Sequence, residues 1–363
     1  MTDLDDTEQA LVESLRRWLA DHVDTATQAR ADLPPAPPVW RALADDLGLL
    51  GAGLPEAAGG LGGGLRTQLL VLQTLGEALA AEPYRSAALV GGAALQAGAS
   101  PLLQGLVQGD VLPAWAHTEP GARGLDDPLS TTLQPQGAGW RLHGRKSAVV
   151  AAAQATHFIV TATLQGQPVV LCVEAAAPGI TRRDVRTLDG GSAQELQFDD
   201  TPLPADARLG GADLLQRLQD LAVLGLCAES LGVTQRLLDD TREHLRTRTQ
   251  FGVPLASQQV LQHRLADMHI ARLQAQALTW AVVAGVDAAT VDERALAVSS
   301  AKVAAGRACR VVGQGAVQLH GAMGVTEEAA VGRWFRRATQ IEALCGSSAQ
   351  HLRRIDALLN LDR

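Results

Sequence analysis

The sequence predicts an α+β fold in which helical domains lie on either side of a central β domain. Alanine- and leucine-rich sequence with helical spacing fills the first part of the chain, short β-branched runs between glycines follow, and helical spacing then resumes. Helices and strands in separate blocks are typical of the α+β class. We therefore predict an N-terminal helical domain (1–112), a central antiparallel β domain (113–210) and a C-terminal helical domain (211–363).

The N-terminal domain is predicted from the spacing of its apolar residues. Leu11, Leu15 and Leu19 recur at helical spacing, and the pattern continues to residue 50, which indicates amphipathic helices. The stretch 51–64 contains too many glycines for an ordinary helix and predicts a loop. Residues 65–108 return to helical sequence.

The central domain is predicted from short runs that alternate in polarity or contain β-branched residues, with glycine-containing turns between them. The predicted strands are Ser130–Leu133, Trp140–His143, His157–Thr163, Val169–Val173 and Gln194–Phe198. Helical spacing resumes after the glycines at 210 and 211, where Leu224, Ala228 and Leu231 share one face of a predicted helix.

Composition excludes several classes of function. The 363 residues carry a formal net charge of −8 and no cluster of basic and aromatic residues, which argues against a nucleic-acid partner. The four cysteines are too far apart in sequence to suggest a metal site or a disulfide framework. The N-terminus is acidic, unlike a signal peptide, and we see no apolar run long enough to span a membrane. We expect a cytoplasmic protein without a metal.

Five segments, in order along nearly the whole chain, resemble motifs of the acyl-CoA dehydrogenase family. The segment 248–259, with Leu265-Ala-Asp-Met268 after it, resembles RxxFGxxxxxxQ…LAxM. The other four segments are Pro55–Gly62 (similar to PEEYGGLG), Thr118–Pro120 (TEP), Gln318–Val325 (QxxGGxGY) and Arg333–Arg354 (the family's last catalytic segment). Each motif is weak alone, but five in register identify the chain as a member of the family.

The resemblance implies the family's fold and chemistry. The central domain would be a β barrel, the C-terminal domain a four-helix bundle, and FAD would bind between subunits. Family members remove the α-proton of an acyl-CoA thioester with a carboxylate while the β-hydride passes to the flavin. An acyl-CoA substrate and an electron-transfer acceptor are therefore implied as partners.

Six residues are candidate cofactor ligands by this resemblance. Arg248 matches the arginine of the first motif, and a guanidinium fork suits the two charges of a diphosphate. Phe251 would pack on the cofactor. Gln259, Gln318 and Gly321 match the residues that meet the cofactor of a neighbouring subunit. Thr118 matches the threonine that hydrogen-bonds the flavin ring.

The chain departs from the family around the flavin ring and the catalytic base. Ala148 stands where the family has a tryptophan that stacks on the ring, and Val150 stands where it has a hydroxyl. Cys345 occupies the position of the catalytic glutamate. Ala222 occupies the other position at which some members carry the base. Because an α-proton needs an acceptor within hydrogen-bond reach, we assign no catalytic residue on this chain.

Nearby acids and a thiol remain as alternatives for a displaced base. Glu342 lies about one helical turn before Cys345, and Asp220 lies two positions before Ala222. Cys345 could act only as a thiolate, and the sequence places no obvious cation near it.

Three hypotheses about function follow. The chain resembles the small subunit of heteromeric acyl-CoA dehydrogenases, such as those acting on the CoA thioesters of steroid side chains or dicarboxylic acids. A second subunit would then bring the catalytic glutamate. Alternatively, it is a self-sufficient homo-oligomeric dehydrogenase with a displaced base. A third hypothesis is a binding or scaffold protein without redox activity that has kept the fold.

Overall fold

The computed structural model describes residues 4–23, 37–122, 124–285, 289–326 and 330–359. Contacts divide these residues into two compact units. The helical unit contains the described residues of Met1–Ala29, Leu69–Ala81 and Val223–Arg363. The mixed unit contains those of Arg30–Gln68 and Glu82–Ala222.

Ten α-helices are described, in the order N-terminal helices, β region, C-terminal helices. They are α1 (Asp6–His22), α2 (Pro37–Asp45), α3 (Gly64–Glu77), α4 (Gly92–Ala97), α5 (Leu102–Val107), α6 (Ala212–Thr247), α7 (Gln259–Gly285), α8 (Val291–His320), α9 (Val331–Ala343) and α10 (Ser348–Leu359). A π-helical segment, Arg85–Gly91, leads directly into α4. The glycine-rich stretch predicted as a loop over 51–64 is a loop with one 3-10 turn over 51–63, and Gly64 begins α3.

The described strands are β1 (Pro113–Ala116), β2 (Thr132–Gln136), β3 (Gly139–Val150), β4 (His157–Leu164), β5 (Gln167–Glu174), β6 (Ile180–Arg186), β7 (Ser192–Leu203), β8 (Arg208–Gly210), β9 (Thr249–Gln250) and β10 (Val253–Pro254). The α+β class and the order of helical, β and helical regions are confirmed. Four of the five predicted strands lie wholly within observed strands, and Ser130–Leu133 overlaps β2 by two residues. The hairpin β9–β10 interrupts a C-terminal region that was predicted to be helical throughout.

Strands β1–β8 form one sheet in the mixed unit. Its order is β6-β7-β3-β2-β4-β5-β8, with β1 paired to β4 outside this path. Most strand pairs of this sheet are antiparallel, as predicted, but β1 and β2 each pair with β4 in parallel. Residues 117–156 between β1 and β4 give the chain enough length to return in the same direction, as parallel pairing requires. Within the described residues β6 and β8 end the path without pairing each other, so the sheet is open there.

The helical unit has a hydrophobic core formed by residues of helices α6, α7, α8 and α9. Its members include Leu226, Val233, Val312, Trp334 and Ile341, all with almost no exposed surface. Two helices begin with capping boxes, in which a side chain and a glutamate three residues later satisfy each other's backbone N–H groups. Asp5 caps α1 in this way and Thr290 caps α8.

Helix α6 is the one helix of the described residues that is long and apolar enough to cross a membrane by length and composition. No such segment was predicted from the sequence. However, 83% of its most apolar window is buried inside the protein. A core helix of a globular protein passes the same test, so this helix is weak support for a membrane span.

Candidate cofactor site

Helix α6 leads into the hairpin β9–β10, which carries two of the predicted cofactor residues. The N–H of Arg248 donates to the carbonyl of His244 at 2.9 Å, and the Arg248 carbonyl accepts from the N–H of Leu255 at 2.8 Å. These bonds fix the backbone at the base of the hairpin. The Arg248 side chain is exposed, so its guanidinium extends from a fixed backbone and is accessible to a ligand.

Phe251 stands at the tip of this hairpin in an unfavourable conformation. Phe251 and Gly252 form the two-residue turn, with φ angles of +54° and +79°, the signs that a type I′ turn requires. A left-handed conformation costs a residue with a side chain about 1–2 kcal/mol. The Phe251 ring is nevertheless 94% exposed, so its contacts within this chain do not offset the cost.

Gln318 and Gly321 lie where α8 ends, beside the end of α6. Gln318 is exposed in the last turn of α8, and Gly321 follows the helix with a φ of +64°. The rings of His244 and His320 stack with their centroids 4.3 Å apart. This contact joins the C-terminal ends of the two helices and brings Arg248 near the end of α8.

Gln259 is the first residue of α7 and is also exposed. It follows the hairpin after the 3-10 turn Leu255–Ser257. We give the name rim to five of the exposed residues of the helical unit, namely Arg248, Phe251, Gln259, Gln318 and Gly321. The rim thus presents a guanidinium, an aromatic ring and two amides to solvent.

Thr118 belongs to the mixed unit, where it adjoins the segment that departs from the family. The N–H of Ser147 donates to the Thr118 carbonyl at 2.8 Å. Ala148 follows in an irregularity of the β3–β7 pairing, with a φ of +51°, and is exposed. Thr118 and Ala148 therefore lie close together. Val150, at the family's hydroxyl position, ends β3.

A buried network that the sequence analysis missed lies next to Thr118. Lys146 Nζ donates to Glu119 Oε1 at 2.7 Å, to Thr161 Oγ1 at 3.1 Å and to the His117 carbonyl at 3.2 Å. The His117 ring spans Thr161 and the carbonyl of Leu125, at 3.0 and 3.1 Å. This network fixes the backbone on both sides of Thr118.

The ionisation of this network follows from its burial and its ion pair. Burial alone would raise the pKa of Glu119, but hydrogen bonds from Lys146, Ser130 and Thr131 outweigh it and hold the pKa at about 2. Burial lowers the pKa of Lys146 to about 8, against the opposing effect of Glu119. Burial, with the charge of Lys146, lowers the pKa of His117 to about 4. The network therefore holds one ion pair and a neutral histidine at neutral pH.

The two base positions carry no acid in the structure either. Ala222 is fully buried in α6. Cys345 is half-buried in the turn between α9 and α10, with φ +55°, and Gly346 follows with φ +95°. His351 Nε2 donates to the Cys345 carbonyl at 2.9 Å, and its Nδ1 lies 3.2 Å from Ser299 Oγ. The turn is thus held firmly although the residue it presents is a cysteine.

The expectation that no cation lies near Cys345 was wrong. Lys302 on α8 is fully buried, and its Nζ donates to the carbonyls of Ile341 and Glu342 at 2.8 and 3.0 Å. These are backbone oxygens at the end of α9, just before Cys345, and the Lys302 charge also acts on Cys345 electrostatically. Burial lowers the pKa of Lys302. The packing of α8 against α9 produces this proximity, which sequence spacing could not show.

Both acids considered as displaced bases have a partner within the chain. Glu342 forms an ion pair with Arg310. Asp220 is buried and accepts a hydrogen bond from Gln216 at 3.1 Å. A base must leave its partner to take a proton from substrate, so neither contact favours that role.

Comparison with known proteins identifies the family. Models of the acyl-CoA dehydrogenase N-terminal, middle and C-terminal domains match residues 5–102, 114–201 and 211–359. The chain therefore belongs to the acyl-CoA dehydrogenase family, whose members are FAD flavoproteins.

Several relatives are similar over most of their length. The acyl-CoA dehydrogenase FadE27 of Mycobacterium tuberculosis is 34% identical over 328 residues, or 87% of this chain and 86% of the relative. The human mitochondrial short-chain specific acyl-CoA dehydrogenase is 29% identical, over 83% of this chain and 77% of the relative.

Two similar solved structures are each described by two protein names. A chain of the ChsE4-ChsE5 complex from Mycobacterium tuberculosis is 28% identical, with a TM-score of 0.91 and 99% coverage of both chains. A chain of a variant of the Tcur3481-Tcur3483 steroid ACAD is 31% identical, with a TM-score of 0.90 and 98% coverage of both.

Proposed function

We propose that this chain is one subunit of a heteromeric acyl-CoA dehydrogenase, and that a second, similar subunit supplies the catalytic glutamate. The observation that carries the proposal is the absence of an acid at both base positions, Cys345 and Ala222. The ion pair of Glu342 with Arg310 and the hydrogen bond that Asp220 accepts also support it. The chain's part would be to complete a flavin site at the interface with its rim.

The rim fits the cofactor of the family. A guanidinium fork pairs with two phosphate oxygens, so Arg248 would hold the diphosphate of FAD. The exposed ring of Phe251 offers a flat apolar surface, and Gln259 and Gln318 offer amide donors and acceptors. Gly321 allows close approach because it has no side chain. When bound, FAD accepts the hydride removed from the acyl chain.

Exposure of all five rim residues supports a shared site. An exposed phenylalanine on a strained turn is poorly accounted for by the fold of a single chain. It is accounted for if the ring packs against a cofactor or a subunit that this chain lacks alone. On the mixed unit, Thr118 would hydrogen-bond the flavin, beside an Ala148 that cannot stack on it.

The substrate and partners are proposed from the relatives. The names of the two similar structures describe a complex of two proteins and a steroid ACAD. We therefore propose a bulky CoA thioester, such as a steroid-derived acyl group, as substrate. The second subunit would be an acyl-CoA dehydrogenase-like chain with an intact glutamate, and an electron-transfer protein would reoxidise the flavin. We place the complex in the cytoplasm.

Purification with and without the partner tests the proposal. The most informative candidate partner is the product of an adjacent gene that encodes a second chain of this family. We expect the lone chain to contain little FAD and to show no measurable oxidation of an acyl-CoA, and the co-expressed complex to be yellow and active. Stoichiometric FAD with ready turnover by the lone chain would contradict the proposal and support a homo-oligomer with a displaced base.

Substitution of Arg248 tests the role of the rim within the complex. Hydrogen bonds to charged groups contribute about 1.5–3 kcal/mol, so Arg248→Ala should weaken FAD binding roughly tenfold to a hundredfold. Arg246→Ala, an exposed arginine two residues earlier on α6, is the matched control and should leave FAD content unchanged. Equal FAD content in both variants would refute the role of Arg248.

A further inference from the structure

A polar cavity of about 560 Å³ lies within the helical unit, and none of its lining residues belongs to the rim. Helices α1, α3, α6 and α7 line it with three arginines, three acids and two glutamines. Small-molecule sites typically have volumes of about 300–1,000 Å³. The cavity is therefore large enough for a small ligand, and the function proposed above gives it no role.

The walls of this cavity are held in place by their neighbours. A Cβ on Gly232 of α6 would lie 1.9 Å from the carbonyl oxygen of Gln73, so the backbones of α3 and α6 are in direct contact there. Trp334 Nε1 donates to the Glu77 carbonyl at 3.2 Å, and the Arg236 guanidinium lies 5.1 Å from the centroid of the Trp334 ring. Groups that are already ordered lose less entropy when a ligand binds to them.

The three acids that line the cavity each have a partner. Arg16 donates to both carboxylate oxygens of Glu77, at 2.8 and 2.7 Å, and Arg236 Nε lies 2.8 and 3.0 Å from the two oxygens of Asp240. Asp239 accepts from a glutamine of α6 at 2.7 Å and pairs at 3.2 Å with an arginine that is not part of the lining. The charges of Arg16 and Arg236 are thus compensated within the lining itself.

Arg272 and Gln73 each carry a buried atom that the chain does not pair. Arg272 is 6% exposed, and its Nη1 donates to Gln276 Oε1 at 2.9 Å. Its Nε has no hydrogen-bond partner among the described residues, and none of their carboxylates forms an ion pair with this guanidinium. Gln73 Oε1 likewise accepts no hydrogen bond from the part of the chain that the structure describes. Because buried polar atoms are almost always paired, these two atoms offer a ligand one charged donor and one neutral acceptor.

The charge of Arg272 favours an anion with a single negative charge. A guanidinium stays protonated in proteins, and a buried charge is costly unless it is paired. Burial lowers the pKa of Arg272, and the charges of Glu77 and Asp239 act in the opposite direction. Both acids already accept from other donors, so neither takes the place of a partner at Nε. A multiply charged anion would be repelled by the three acids of the lining.

We propose that this cavity binds a small hydroxycarboxylic acid with one negative charge. Its carboxylate would accept from Arg272 Nε, and its hydroxyl would donate to Gln73 Oε1. A lining composed of charged and amide side chains disfavours an apolar ligand. An ammonium group in place of the hydroxyl would cancel the negative charge that Arg272 favours. The cavity shares no residue with the rim, so this inference does not rest on the proposed function.

Calorimetric titration of the full chain with matched acids tests the inference without FAD or a partner. Lactate, 4-hydroxybutyrate and 6-hydroxyhexanoate place the hydroxyl progressively farther from the carboxylate, and propionate, butyrate and hexanoate are their counterparts without it. We expect at least one hydroxy acid to bind roughly threefold to tenfold more tightly than its counterpart, because its hydroxyl pairs a buried acceptor. Absence of binding, equal affinities within every pair, or tighter binding of 4-aminobutyrate than of 4-hydroxybutyrate would each overturn the inference.

Substitution of Arg272 locates the carboxylate. Arg272→Gln removes the charge and the Nε donor, so it should weaken the binding of every acid at least about tenfold. Arg264→Gln is the matched control, because Arg264 is an exposed arginine about two turns earlier on α7, and it should leave these affinities unchanged. Equal affinities in the two variants would contradict the assignment of the carboxylate to Arg272.

Substitution of Gln73 locates the hydroxyl and remains informative if Arg272→Gln fails to fold. Gln73→Leu keeps a side chain of similar size but removes the acceptor. We expect this variant to bind the unsubstituted acids as the native chain does and to lose the preference for the hydroxy acid. A merely structural role of Gln73 would weaken both classes of acid together. That result, or a preference that persists in Gln73→Leu, would overturn the inference.

Discussion

The polar groups of the rim are exposed and available to a ligand, whereas three acids of this chain are paired with its own basic side chains. Arg248, Gln259 and Gln318 are exposed. Three acids, by contrast, are each satisfied within the chain, in the pairs Glu119–Lys146, Glu229–Arg337 and Glu342–Arg310. A site that binds a ligand needs groups left available for it, and a catalytic base needs a carboxylate that can take a proton. The rim meets the first need, and these acids do not meet the second.

The turn at Cys345 is held in place by contacts that do not depend on the Cys345 side chain. Lys302 and His351 hold the backbone on either side of this turn. Neither contact involves the side chain of residue 345, so replacement of an acid there by cysteine leaves the frame intact.

The largest expected effect tests whether Glu229 is structural. Its carboxylate, almost fully buried, accepts from Arg337 Nε at 2.5 Å and Nη2 at 2.8 Å. Removal of one partner of a buried ion pair leaves an uncompensated charge, so Glu229→Gln should lower the free energy of unfolding by about 3–5 kcal/mol. Urea denaturation measures this.

The matched control for Glu229 is an exposed ion pair. Glu195 pairs with Arg183 on the surface of the sheet, and Glu195→Gln should cost less than about 1 kcal/mol. If Glu229→Gln were as mild as the control, the acid would not be tied to Arg337. Glu229 would then become a candidate base, and the contrast between rim and buried acids would fail.

The pH dependence of stability tests the network beside Thr118. His117 has a pKa of about 4 in the folded state, below its ordinary value of 6.5. Below pH 6.5 the unfolded chain binds the proton first, so the free energy of unfolding should fall as pH drops from about 6.5 to 4. The loss attributable to this group is about 3 kcal/mol. Glu119, with a pKa of about 2, adds its loss mainly below pH 4.5.

A variant without the histidine measures the contribution of His117 to this pH dependence. His117→Gln keeps a polar side chain but removes the titrating group, so its stability should depend less on pH between 6.5 and 4 than that of the native chain. Parallel curves for the two proteins would show that His117 is not a buried neutral histidine.

The sequence motifs single out the rim residues, whose cofactor role stays a prediction, but they do not single out the buried groups, for physical reasons. Rim residues are grouped in two short motifs, whereas His244 and His320 meet only because α6 and α8 end side by side. Strand β6 was missed because it is rich in charge and largely exposed, which hides its alternation. One available signal was overlooked: the chain has only two lysines, Lys146 and Lys302. Both are fully buried and donate to the chain's own oxygens.

A smaller effect is expected at the tip of the hairpin. Phe251→Gly removes the side chain from a left-handed position, and the relief exceeds the entropy that glycine adds to the unfolded chain. We expect the lone chain to gain about 0.5–1 kcal/mol in free energy of unfolding, and the complex to lose FAD affinity. Gly252→Ala, at the neighbouring position with φ +79°, should change stability in the opposite direction. A lone chain destabilised by Phe251→Gly would show that the ring already has a role within its own fold.

The smallest effect is expected for Cys345→Ala, and this substitution tests directly whether the thiol of Cys345 acts as a base. Cys345 has a cation, Lys302, in electrostatic range, which is the setting in which a thiol could act as a base. However, Lys302 is committed to the carbonyls of Ile341 and Glu342, which stabilise its positive charge and take up its donors. If the partner supplies the base, Cys345→Ala should leave kcat of the complex within about twofold of the native value, since a general base typically contributes about 10²–10⁴-fold. A fall in kcat of that size, with FAD content unchanged, would make Cys345 the displaced base and would return the chemistry to this chain.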